Sequence, residues 1–252
     1  MPRKARTKSN SGIYHIMMRG INRQIIFEDE EDYSKFIHTL KRYKEQCGYE
    51  IYAYCLMSNH IHLLIKAEKE PLEQVMRRLC GSYVYWYNQK YQRIGNLFQD
   101  RFKSEVVDEE GYFLTVLRYI HQNPLKAVLV KEIEEYKWSS YIEYIGAVNL
   151  INMEFTLNLF NIDREKALIN FIKFNKEGNN NVCLDIDEKR KFSDEQAKEL
   201  IKNVCRVNCP LELQKIDKKI RDIYLKKLKE NNLSIRQIER LTGINRGIIA
   251  NA

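Results

Sequence analysis

Between residues 13 and 124 apolar side chains recur in two rhythms, one of period two and one of period 3.6. "IYHIMMRG" (13–20) reads as a strand ending at Gly20. From Asp29, apolar positions Tyr33, Phe36, Ile37, Leu40 and Tyr43 follow helical spacing, with acids in the first turn and Gly48 at the end. "YEIYAYCLMS" (49–58) is rich in aromatic and β-branched residues, and "HIHLLIKA" returns after a tight turn at Ser58-Asn59. Leu72, Val75, Met76, Leu79, Cys80 and Tyr83 form one helical stripe within 70–91. Residues 95–108 look extended, and 109–124 form a helix that Pro124 should stop. The predicted order is β-α-β-β-α-β followed by a helix. This is an α+β, ferredoxin-like split βαβ arrangement: an antiparallel sheet with helices on one face and the other face open.

The pattern changes outside this segment. Residues 1–12 form a basic N-terminal arm, 13–148 the main domain, and 149–181 a helical extension ending in the linker "KEGNNN" (176–181). Residues 182–252 form an all-α region. It opens on a capping box, Ser193 and Gln196, and continues as a long amphipathic helix through Leu213, Ile216, Ile220, Ile223 and Leu228. Its end, 232–252, has the pattern of a helix-turn-helix. Ser234 and Gln237 cap one helix, Ile238 and Leu241 face inward, and Gly243 makes the turn. Asn245 caps the second helix, and Ile248 and Ile249 pack back.

Composition adds a partner class. Lys and Arg total 42 against 34 Asp and Glu, a net charge of +8. That balance suits a polyanion, and equally suits simple solubility. No apolar run reaches transmembrane length and no secretory signal is present, so no membrane role is expected and the six scattered cysteines read as reduced thiols of a cytoplasmic protein.

Two places carry candidate chemistry. His60 and His62 are two apart in a strand, so their imidazoles share a face while Ile61, Leu63 and Ile65 take the other. Such a pair either grips one divalent metal or is two half-buried histidines satisfied by hydrogen bonds. In "RYIHQNP", Tyr119 and Asn123 are four apart on one helix face. Tyr119 is a potential nucleophile or one packing residue among sixteen tyrosines, and Asn123 a potential oxygen ligand or an ordinary helix-end residue. Arg101 and Lys103, on one face of the expected strand, and Arg19 and Arg23, flanking the first strand's end, are either solvated charges or a path for a phosphate backbone.

"YHIMMRGINRQIIF", "YCLMSNHIHLLI", "GNLFQDRFKS", "RYIHQNP" and "YKWSSY", in this order, resemble the REP-associated tyrosine transposases, a branch of the single-tyrosine HUH transposases. The resemblance spans about residues 10–145. It implies a metal-dependent single-stranded DNA endonuclease and strand transferase acting on hairpin-forming repeats. His60 and His62 would hold Mg2+ or Mn2+. Tyr119 would be the nucleophile that forms a 5′-phosphotyrosine. Asn123 would occupy the position where relatives carry a polar metal ligand, often Gln. His121 faces away from Tyr119 in helical geometry and is given no role. Single-stranded hairpin DNA is the expected partner, with duplex DNA reached through the C-terminal helices. Some relatives dimerise and others act alone, so a homodimer stays open. A non-catalytic DNA-binding regulator derived from a transposase is the alternative reading.

Overall fold

The computed structural model describes residues 6–178, 183–184, 194–231 and 233–252. The first five residues of the basic arm, residues 179–181 of the expected linker and Ser193 of the expected capping box lie outside them. The chain divides into two compact units, Met1–Asp185 and Ile186–Ala252.

The first unit is built on four strands: β1 (Ile13–Arg19), β2 (Glu50–Met57), β3 (His60–Lys66) and β4 (Lys103–Val106). Their order is β2-β3-β1-β4, and every neighbouring pair is antiparallel. β1 and β2 lie on either side of β3 and are joined by α1 (Glu30–Cys47), which is a split βαβ unit. α1 starts where its acids predict. The Asp29 side chain accepts from the Asp32 N–H, and Asp32 caps in return. It ends at Gly48, whose φ of 62° is left-handed and whose N–H bonds the Lys44 carbonyl.

The period-two pattern of the strands sorts side chains to two buried faces. Ile16, Met18, Ile61, Leu63 and Ile65 take one. That face meets α2 (Leu72–Lys90), where Cys80 Sγ lies 3.2 Å from Met18 Sδ. The other face is not open, contrary to the sequence expectation. α3 (Glu110–Lys126) packs across β2 and β3 there. Its stripe of Phe113, Val116, Leu117 and Ile120 is almost wholly buried, so leaving that sheet face in water would expose a second apolar surface on the helix as well.

Two further expectations are corrected. Pro124 does not stop α3, which runs on to Lys126; the N–H of Ala127 bonds the Asn123 carbonyl and carries the helix past the missing proline donor. Residues 95–108 are mostly not strand. Only Lys103–Val106 pairs with β1, with one isolated bridge from Phe98 to Gly20, because the chain turns at Asp100, whose φ is 56°. The chain that follows α3 closes the edge of β2: Leu56 N–H bonds Trp138 O, and Ser140 N–H bonds Tyr54 O. α4 (Tyr141–Ile145), α5 (Met153–Asn158) and α6 (Arg164–Lys176) follow, with α6 against α3.

The second unit holds α7 (Asp194–Cys205), α8 (Lys218–Glu230), α9 (Ile235–Thr242) and α10 (Arg246–Asn251) around a core of Ile201, Leu213, Leu225, Leu228 and Ile238. The single long helix expected through Leu213 and Leu228 is broken. Pro210 opens a 3-10 turn that contains Leu213, and Asp217 caps a separate α8. Within α8, Ile220 and Ile223 are exposed while Leu225 and Leu228 are buried. The helix-turn-helix residues behave locally as their types predict. Ser234 accepts from Gln237 N–H, Gly243 sits at φ 71°, and Asn245 accepts from Gly247 N–H. Ile249 packs back into the core, but Ile248 is 41% exposed. Among the described residues, no helix is long and apolar enough to cross a membrane, and all six cysteines are free.

Candidate active site

The imidazoles are placed by strand register. In β3, His60 and His62 share the face covered by α3, with ring centroids 5.2 Å apart. Met17 of β1 pairs with His62, and Arg19 pairs with His60. His15, two residues before Met17, is therefore the diagonal neighbour of His62 on the same face. Its Nε2 lies 3.1 Å from His62 Nδ1.

His15 and His62 are both fully buried, and His60 is partly so. Burial pushes the His15 pKa down to about 3. The His62 pKa is pushed well below its usual range by burial, then by the neighbouring His15 and His60. Both rings are therefore neutral at neutral pH, the state in which an imidazole nitrogen offers a lone pair. His60 Nδ1 lies 2.7 Å from Asn59 Oδ1. An amide oxygen only accepts, so this bond puts the His60 proton on Nδ1 and the lone pair on Nε2. The Nε2 of His62 is buried and has no hydrogen-bond partner among the described residues.

α3 brings Tyr119 to this cluster. Its ring centroid lies 5.6 Å from that of His62 and 5.9 Å from that of His15, edge-on to both. The tyrosine is 6% exposed. One face of its ring carries the Lys126 ammonium, 4.8 Å from the centroid. Asn123, one turn after Tyr119, donates its side-chain N–H to the Tyr119 carbonyl at 2.9 Å. With its nitrogen committed, its oxygen is the atom left for a ligand. His121 points elsewhere: Nδ1 meets Asn175 Oδ1 at 2.9 Å and Nε2 meets Ser140 Oγ at 2.9 Å, in the seam between α3 and α6.

The four basic candidates separate into two groups. Lys103 pairs with Met17 on β1, the residue that also pairs with His62, so Lys103 and Arg19 lie on the histidine face of the sheet. Lys103 is exposed and Arg19 is 8% exposed. Arg23 and Arg101 lie beyond strand ends and are exposed. Arg101 and Lys103 both line a shallow cleft of about 450 Å³ with Arg6 and Phe102. Arg101 stands next to Lys103 but outside β4, so the two do not share a strand face, contrary to the expectation from sequence.

Sequence reasoning missed His15 and Lys126. His15 was legible only as a residue of "YHIMMRG", because its proximity to His62 depends on which strand β1 pairs with. Lys126 is seven residues after Tyr119 and so on its face, but the helix was expected to end at Pro124.

Two imidazole lone pairs and an amide oxygen suit a divalent ion that accepts nitrogen and oxygen ligands. Among the described residues, no three His, Cys, Asp or Glu side chains gather where they could hold an ion together. Any ion gripped by His60 and His62 would therefore take its remaining ligands from other residue types, water or substrate.

Residues 8–123 match the family model described as "Transposase IS200 like". No curated protein matches the chain. Among solved structures, the fold is similar to a REP-associated tyrosine transposase bound to a REP hairpin, with 18% identity and a TM-score of 0.50, covering 61% of this chain and 90% of that one. A protein of Deinococcus radiodurans R1 named as a candidate transposase aligns at 20% identity with a TM-score of 0.35, covering 48% of this chain and 97% of that one.

Proposed function

We propose, from the match of residues 8–123 to the IS200-like transposase model, that this chain is a member of that family and a metal-dependent single-stranded DNA nuclease and strand transferase with Tyr119 as nucleophile. The observation that carries this reading is the 5.6 Å approach of the Tyr119 and His62 rings on one covered sheet face, with His60 beside them. The orphaned Nε2 of buried His62 supports a role for that ring as a ligand.

In this reading His60 and His62 would hold the ion through Nε2, and the Asn123 oxygen would be the third protein ligand. A bound Mg2+ or Mn2+ would polarise a phosphoryl oxygen, and imidazole ligands favour Mn2+. Tyr119 Oη attacks the phosphorus in line. The new O–P bond forms as the P–O3′ bond breaks. The phenol releases one proton and the departing 3′-oxygen takes one up, leaving a 3′-hydroxyl and a 5′-phosphotyrosine. The link is an ester like the one cut, so attack by a 3′-hydroxyl can reseal the strand without ATP. A free phenol has a pKa of about 10, so bringing phenol and phosphate together in one geometry does much of the work. The Lys126 ammonium beside the Tyr119 ring is set to pair with the incoming phosphate. Lys103 extends the cationic surface along the same sheet face, with the buried Arg19 on that face, and Arg101 and Arg23 extend it beyond the strand ends.

A hairpin-forming single strand is the proposed substrate, supported by the REP hairpin held by the structure of similar fold. Duplex DNA is the proposed partner of α9 and α10, whose capped turn has the form of a helix-turn-helix. The test is incubation with a panel of end-labelled single-stranded hairpins and Mn2+. A denaturant-resistant protein–DNA adduct that chelator abolishes is the expected result. Binding of hairpins with no adduct from any of them would contradict the nuclease reading.

A further inference from the structure

The least economical feature of the core is His15. It lies in the middle of β1, fully buried, where neighbouring positions carry Ile16, Met17 and Met18. Its Nδ1 has no hydrogen-bond partner among the described residues. A buried polar atom without a partner costs stability, and an apolar side chain here would avoid that cost. What His15 does have is His62: Nε2 of one ring lies 3.1 Å from Nδ1 of the other, with centroids 5.3 Å apart.

We infer that His15 is the positioning residue of the proposed metal centre, its Nε2 accepting the Nδ1–H of His62 and so keeping a lone pair on His62 Nε2. The inference rests on the metal-dependent reading above. Its logic is that of the neighbouring ligand: His60 gives its Nδ1–H to Asn59 Oδ1 and turns the lone pair of Nε2 outward. A ligating imidazole generally donates its other N–H to a second group, which fixes both tautomer and ring direction. For His62 that second group is His15, since no water-exposed surface remains on either ring. The opposite arrangement, His15 donating to His62 Nδ1, would leave a proton on His62 Nε2. It would block the atom that would bind metal; in either arrangement one buried donor stays unpaired, on His62 Nε2 or on His15 Nδ1, so it is the metal that selects the first.

The test uses the full chain and Mn2+ titrations followed by electron paramagnetic resonance, with His62→Ala, His15→Phe and His15→Gln compared with the parent. Phe keeps the ring bulk and removes the acceptor; Gln restores an acceptor oxygen at the end of a similar reach. His15→Phe should weaken Mn2+ binding about 10- to 100-fold, while His15→Gln stays close to the parent. Parent-like binding by His15→Phe, with binding lost in His62→Ala, overturns the role of His15 and leaves the metal reading standing. Equal binding by the parent and His62→Ala removes both. Nitrogen-15 spectra of the parent with saturating Mg2+ give a second readout that survives a poorly folding variant. They should place the His62 proton on Nδ1, and a proton on Nε2 overturns the inference by itself.

Discussion

The ring of Tyr119 on α3 stands edge-on to the ring of His62 on β3, with centroids 5.6 Å apart and planes at 80°. The two residues are 57 positions apart in the chain, and α3 has to cover the sheet for them to meet. The helix that buries the sheet's second face therefore also delivers the candidate nucleophile to the imidazole pair.

The two histidines differ in what their loss should do to the fold. His62 is fully buried, so His62→Ala should open a cavity and cost about 2–4 kcal/mol in urea unfolding. His60 is only partly buried at the strand's start, and His60→Ala should cost about 1 kcal/mol or less. Both should abolish Mn2+-stimulated cleavage. Activity in either variant equal to the parent, and unchanged by chelator, would contradict the ligand assignment.

Lys103 and Arg101 should act as backbone contacts rather than as readers of sequence. Each Ala substitution should weaken binding of unrelated single strands to a similar degree and lower the salt dependence by about one ion. Fluorescence titrations at several salt concentrations measure this. Loss of binding to one sequence alone would assign them to base contacts instead.

His121 predicts a pH dependence of stability. Burial lowers its pKa to about 4, opposed by its bond to Asn175. Between that value and the unfolded value of about 6.5, the unfolded chain binds the extra proton. The contribution is fully present above the unfolded pKa and is lost as pH falls through the folded one. A shift of this size corresponds to about 3 kcal/mol. His15 and His62, also buried and neutral, add to the loss in the same direction. Unfolding midpoints should fall from pH 6.5 to 4, and His121→Gln should flatten part of that fall. An unchanged slope in His121→Gln would show that His121 is not held neutral.

Gly243→Ala tests the second unit. The glycine sits at φ 71°, and an added Cβ would come within 2.2 Å of Gln214 Nε2, which bonds the Thr242 carbonyl. The variant should destabilise Ile186–Ala252 by about 1–2 kcal/mol and leave cleavage by the first unit intact. Limited proteolysis with an adduct assay separates the two effects. Loss of adduct formation with the first unit still resistant would tie catalysis to the C-terminal helices.

What the sequence disclosed follows from which forces are local. The shared face of His60 and His62 is a consequence of the two-residue strand period, and the capped ends of α1 and α9 follow from Asp29, Gly48, Ser234 and Gly243. The position of His15 was not legible, because a cross-strand register is fixed by pairing between distant segments. The extent of α3 past Pro124 and the break before α8 were misjudged for a related reason. Tertiary packing carries one helix through a proline, while Pro210 and Asp217 divide an apolar periodicity that looked continuous. The closed second sheet face was legible but misread: a strand buried on both sides reads as a near-continuous apolar run rather than an alternation, and residues 51–57 form such a run.

The central claim is that one tyrosine of the sixteen in the chain forms the covalent bond to DNA. The most direct measurement is mass spectrometry of peptides from the adduct formed with a single-stranded hairpin and Mn2+, with Tyr119→Phe in parallel. The account predicts a nucleotide-bearing peptide modified at Tyr119, and no adduct from the Phe variant despite hairpin binding like the parent's. Modification at any other tyrosine, or an adduct from Tyr119→Phe, would contradict it.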